Sequence, residues 1–187
     1  RAQIYLDKDQ MKILEFLDQM GIECGGGDMD RRELDDVESN RLYNISSFVC
    51  AARSVVIRDW HTKEISEVKE TEEPARLSGA LGQLYLGLEL IGLNEAERWG
   101  IVCKVGMDSM PLARIRVIQR LQKGSAKPGE LKDVLGVCTS SVRFVCEDLE
   151  QHGVIERVGR GDRIGEGAGS WRLTQWSRKQ LQLGWGS

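Results

Sequence analysis

Between Cys138 and Cys146 the chain reads CTSSVRFVC. Thr139, Ser140 and Ser141 supply three consecutive hydroxyls, each able to donate and accept. Arg143 adds a planar guanidinium that can hold two acceptors side by side. Grouped at the start of a helix, these are the side-chain types that hydrogen-bond to base edges in a DNA major groove. Lys127 lies upstream and Arg157, Arg160, Arg163 and Arg172 lie downstream, cations suited to phosphate.

The elements that must hold these residues can be read from spacing. Ile115, Ile118 and Leu121, widened by Val117, mark a first helix that stops before Gly124. Pro128 opens a second helix, where its missing N–H costs nothing, with Leu131, Val134 and Leu135 facing inward. Gly136 supplies the tight turn. Thr139 or Ser140 is the expected cap of a third helix, whose buried face is Val142, Val145, Cys146 and Leu149. Phe144 is expected to be half-buried packing. Gly153 closes that helix in a left-handed conformation. Val154–Val158 and Trp171–Leu173 then read as antiparallel strands, joined by GRGDRIGEGAGS with its five glycines.

The order of these elements, with SSVRFVCEDLEQHGVIERVG as signature, resembles the winged helix-turn-helix family over about the last 75 residues. The resemblance implies a recognition helix carrying Thr139, Ser140, Ser141 and Arg143, and a wing carrying Arg160 and Arg163. Double-stranded DNA is the partner it implies. The preceding region, with EEPARLSGALGQL and the DSMP joint, resembles the helical lid found before a winged helix in bacterial and mobile-element P-loop ATPases and helicases. In such lids an arginine at the start of a helix reaches the ATP γ-phosphate, and Arg76 occupies that place. No Walker A or Walker B motif is present in the chain, so ATP hydrolysis is not expected of it alone. The resemblance then implies an ATPase part upstream, and the first residue, Arg1 rather than Met, fits a piece of a longer chain. Otherwise Arg76 is a surface arginine paired with Glu72 or Glu73.

Charge is divided unevenly. Residues 1–110 carry 13 Lys and Arg against 21 Asp and Glu, whereas residues 111–187 carry 13 against 8, within a net charge of −3. The basic part is the one with the winged-helix pattern, which favours a nucleic-acid surface there. Five cysteines without a CxxC pair, three of them (Cys50, Cys103 and Cys146) on apolar helical faces, suit a reducing cytoplasm. Two histidines far from paired cysteines suggest no metal site. No membrane span is expected.

In residues 1–110, Ile13, Leu14, Phe16, Leu17 and Met20 mark a helix ending at Gly21. The following Cys24–Gly27 turn leads into Asp28 and Asp30, which would repel a phosphate. A long helix, single or broken, is expected from Arg31 to Ile57, with Leu34 and Val37 on its early face and Leu42, Ile45, Phe48, Val49 and Ala52 on its later one. A loop follows, with a short strand at Glu64–Val68. A glycine-bearing helix spans Arg76–Ile91, its glycines suited to close helix approach. A last helix is capped by Asn94, with Ala96, Trp99, Val102, Cys103 and Val105 inward.

The fold expected is mainly α: a helical domain over residues 1–110, lid-like or dimerising, then a winged helix-turn-helix over 111–187 with a two- or three-stranded antiparallel wing. The expected function is DNA binding within a larger DNA-handling protein. A dimeric transcriptional regulator is one alternative. A protein–protein adaptor anchored by Trp171, Trp176 and Trp185 is another, although Trp171 and Trp176 read better as core and Trp185 as a frayed end. No carboxylate pair, Ser/His/Asp set or Cys/His pair stands at a catalytic spacing, so neither catalysis nor a cofactor is expected. The acids Asp28, Asp30, Asp35 and Asp36 suit a solvated helix start.

Overall fold

In the computed structural model, residues 32–159 and 169–186 are described. The helix expected around Ile13 therefore lies outside the described residues, as do Arg160 and Arg163. The architecture is mainly helical, with seven helices and two two-stranded antiparallel sheets among the described residues.

Helix α1 (Asp36–Arg53) starts at Asp35, whose carboxylate accepts from the Glu38 N–H at 2.8 Å while Glu38 accepts in return from the Asp35 N–H at 3.1 Å. Two orphan donors are satisfied reciprocally. Val37 is 75% exposed, because the buried face begins only at Glu38 and Leu42. The helix does not reach Ile57. It stops at Ser54, whose hydroxyl donates back to the Cys50 carbonyl at 2.6 Å, and the β-branched run that follows forms β1 (Val56–Arg58). β1 pairs antiparallel with β2 (Ile65–Val68), Val56 opposite Val68. Asp59 shapes the turn by accepting from the His61 and Thr62 N–H groups at 2.8 and 2.7 Å.

Helix α2 (Pro74–Leu90) opens on Pro74, two residues earlier than the expected Arg76. Of its glycines only Gly82 approaches a neighbour closely, with Leu34 Cδ1 2.9 Å from where a Cβ would stand; Gly79 and Gly87 face open space. Helix α3 (Glu95–Asp108) has the Asn94 cap completed by Glu97. It buries Trp99 and Val102 and leaves Ala96 and Val105 exposed.

After Pro111 come α4 (Leu112–Gln122), α5 (Pro128–Leu135) and α6 (Thr139–Gln151), then β3 (Ile155–Val158), β4 (Ser170–Leu173) and α7 (Gln175–Trp185). Gly136 and Gly153 both take φ of +67°, the left-handed conformation that lets each chain reversal follow its helix directly. Leu131 and Leu135 are buried, but Val134 is 39% exposed. β3 and β4 pair with Arg157 opposite Trp171. Ala126 adds a third, single-residue rung, exchanging backbone hydrogen bonds of 2.9 and 2.8 Å with Trp171.

One continuous core runs through the described residues, from Leu42 and Phe48 of α1 through Val117, Ile118 and Val142 to Trp171 and Leu181. The expected division at residue 110 falls at the turn between α3 and α4, and α7 crosses back to pack on α1. Phe48 lies between Trp176 (6.3 Å, stacked) and Trp185 (5.6 Å, edge-on). Trp185 is thus packed and helical, not frayed. The contact is close because Gly184 has no side chain: a Cβ there would stand 2.8 Å from Ile45 Cγ1. Among the described residues no helix is long and apolar enough to cross a membrane.

Candidate nucleic-acid interface

The first turn of α6 is built on Cys138, not on Thr139 or Ser140. Cys138 holds the extended N-cap conformation without a side-chain cap bond to the backbone. Its sulfur lies 3.1 Å from Ser140 Oγ and 3.2 Å from Ser141 Oγ. The hydroxyls of Ser140 and Ser141, then the Ser141 N–H, stabilise the thiolate and bring its pKa down to about 7. This departs from the sequence expectation, which assigns the hydroxyls to capping. Thr139 and Ser140 are exposed and Ser141 is half-buried.

Arg143 extends from the next turn with its side chain 72% exposed, and its Nε donates to Glu147 Oε1 at 2.5 Å. Glu147 is itself nearly buried. Arg58 of β1 reaches its other oxygen at 3.1 Å, and Arg157 of β3 approaches at 3.7 Å. Burial works to raise the Glu147 pKa, but the hydrogen bonds and charges of Arg143 and Arg58 outweigh it, and the carboxyl lies below its usual range. Beside it Asp148 pairs with Arg58 at 2.7 Å and Arg114 at 3.1 Å. Arg58 also lies 4.6 Å over the ring of Phe144, which is half-buried as expected.

The remaining expected contacts divide by how committed they are. Arg157 pairs with Glu150 at 3.3 Å and covers the Trp171 ring at 4.5 Å, so much of its reach is spent inside the fold. Arg172 pairs across the hairpin with Glu156 at 2.7 Å, and both remain exposed enough to rearrange. Lys127 is exposed beside α5 and its N–H donates to Glu130 at 3.3 Å. Arg116, Lys123 and Lys132 are exposed and have no ion pair among the described residues. Arg76 is exposed in the first turn of α2 and likewise has no ion pair among the described residues. Glu72, expected beside it, pairs with Arg53. Among the described residues no group of three or more His, Cys, Asp or Glu is placed to hold a metal.

Sequence reasoning misses Arg58, Arg114 and Glu147. Arg114 is 8% exposed and donates to the Ala52 and Ser54 carbonyls at 2.9 and 2.7 Å. Nothing in local spacing distinguishes such an arginine from a surface one, because its partners lie about 60 residues away. No protein-family model, curated protein or solved structure matches this chain.

Proposed function

We propose that the chain is a double-stranded DNA-binding module of winged-helix type, with α6 entering the major groove and the β3–β4 hairpin lying on the backbone. The observation that carries this reading is the exposed first turn of α6. It presents Thr139, Ser140 and Arg143 at the end of a helix held from behind by α4, α5 and the hairpin, and N-terminal residues of such a helix are those that meet base edges. Exposed Lys123, Lys127 and Lys132 on the flanking helices add phosphate contacts. In this reading the module belongs to a larger DNA-handling ATPase or helicase, with Arg76 facing the nucleotide of the upstream part.

The test is anisotropy of a labelled duplex at two salt concentrations. Binding should weaken steeply with salt, since each phosphate neutralised releases counterions. Arg143→Ala should reduce affinity by about 1–3 kcal/mol on a preferred site. A chain that binds no duplex at low salt would overturn the reading. A second reading, docking to a protein partner, is favoured by one observation: Glu147 already engages Arg143 and Arg157, which lowers the free positive charge of this face.

A further inference from the structure

We propose that the outer edge of β2 takes up an extended, lysine- or arginine-rich segment of a partner protein as a third strand of the β1–β2 sheet. This goes beyond the DNA reading and does not depend on it.

The edge is open. β1 is the seated strand, since Arg58 donates to the Phe144 carbonyl at 3.3 Å and to Glu147 and Asp148 at 3.1 and 2.7 Å. β2 pairs with β1 on one side only among the described residues. The Lys69 N–H donates to the Val55 carbonyl at 3.1 Å, and Val56 stands opposite Val68 and Ile57 opposite Glu67. Bonded and non-bonded pairs alternate in an antiparallel ladder, so Val55·Lys69 and Ile57·Glu67 bond each other. The Val68 N–H and C=O then point away from β1. Such an edge is a template for another strand. Ser66, Glu67, Val68, Lys69 and Glu70 are all exposed. Val68 shares the face of Val56 and is 40% exposed, an apolar side chain that a third strand would cover.

Charge selects the occupant. Residues 59–73 hold six carboxylates against two lysines. Glu67 is spent on Lys69 and Glu72 on Arg53, whereas Glu64, Glu70 and Glu73 have no ion pair among the described residues. A second copy of β2 would set this acidic run against itself, and like charges opposed across strands destabilise. A basic strand meets the opposite charge. Side chains alternate in direction along a strand, so valine alternating with lysine offers one face to Val68 and the other to Glu67.

The experiment is anisotropy of a short labelled peptide of alternating valine and lysine, titrated with the full chain, beside the same peptide with glutamate for lysine. The lysine peptide should bind and the glutamate peptide should not. Val68→Pro removes the outward N–H and no bond to β1, a change that edge strands tolerate. It should weaken binding about fivefold, the worth of one hydrogen bond. Glu64→Gln with Glu70→Gln should weaken binding at low salt and leave it less sensitive to salt. If Val68→Pro binds as the unaltered chain does while the glutamine variant binds worse, charge alone attracts the peptide and the added strand is refuted. Absence of binding at low salt overturns the proposal as well. A dimer in sedimentation that Val68→Pro dissociates would give the edge to a second copy instead. Should Val68→Pro fail to fold, amide exchange in the unaltered chain reads the same contact: bound peptide must slow exchange at Val68, and an unchanged rate would refute the added strand.

Discussion

Cys138 is the residue whose chemistry departs furthest from its ordinary behaviour. With its pKa near 7 the thiol is about half ionised at neutral pH, whereas burial pushes Cys146 up to about 12 and raises Cys50 and Cys103. Since the thiolate is the nucleophile, iodoacetamide at pH 7 should label Cys138 first among the described cysteines, with a rate midpoint near 7. Replacing Ser140 and Ser141 by Ala removes the stabilising hydroxyls, and the midpoint should rise toward the ~8.5 of a free thiol. A midpoint near 8.5 in the unaltered chain would show that the hydroxyls do not hold the thiolate. Glu147 gives a second residue-scale prediction. Its folded pKa is depressed from the ordinary 4.5, so its contribution is fully present above that value and is lost as pH falls through the folded pKa. Glu147→Gln should cost about 2 kcal/mol at pH 7, between the values for exposed and buried pairs. The difference from the parent should shrink in acid. Denaturant melts at pH 7 and pH 3 measure both, and an equal gap at the two pH values would contradict the ionic account.

At the scale of elements, the docking of α7 on α1 depends on a missing methyl group. Gly184→Ala would place a Cβ 2.8 Å from Ile45 Cγ1 and 3.3 Å from the Ile45 nitrogen. The backbone atom cannot swing aside, so a loss of about 1–3 kcal/mol is expected. Gly79→Ala is the contrast. It meets nothing within 4 Å inside α2 and should stabilise by ~0.4–1 kcal/mol through the unfolded chain. Urea midpoints of the two variants should move in opposite directions. The same scale explains what is legible in the sequence. Elements set by local chemistry are readable: the Asn94 cap, Pro128 at a helix start, the left-handed Gly136 and Gly153, and the Trp171 strand as partner of the run ending at Val158. Elements set by distant partners are not. Val56 and Ile57 read as the tail of a helix because they continue the apolar α1 pattern. What makes Val56–Arg58 a strand is pairing with Ile65–Val68 and the seating of Arg58 on α6, neither of which is written in the local spacing. The cap of α6 falls one residue before the expected one for a related reason, since Ser and Thr are the usual caps and here the serines serve the sulfur instead.

For the whole molecule, the question is whether the acidic and basic parts of the sequence behave as one body. Arg114 argues that they do. Its guanidinium is buried and divides its donors between the Ala52 and Ser54 carbonyls of the first part and Asp148 of α6. Removing Arg114 would leave two buried carbonyls without their charged donor and Asp148 with Arg58 as its one remaining cation among the described residues, a loss smaller than the about 3–5 kcal/mol of a fully buried charge left unpaired. Phe48, held between Trp176 and Trp185, joins the same parts through apolar area, and burying that area stabilises without the desolvation cost that offsets an ion pair. Two independent kinds of contact therefore tie α1 to the elements that carry the candidate interface. Unfolding in urea should then be a single transition, with tryptophan fluorescence and far-ultraviolet circular dichroism superimposing. Arg114→Ala should move that one transition to lower urea without splitting it, because the apolar contact of α7 with α1 remains. Two separated transitions in the unaltered chain would mean that the shared core does not couple the parts, and α6 would then have to be understood without α1 and the β1–β2 hairpin.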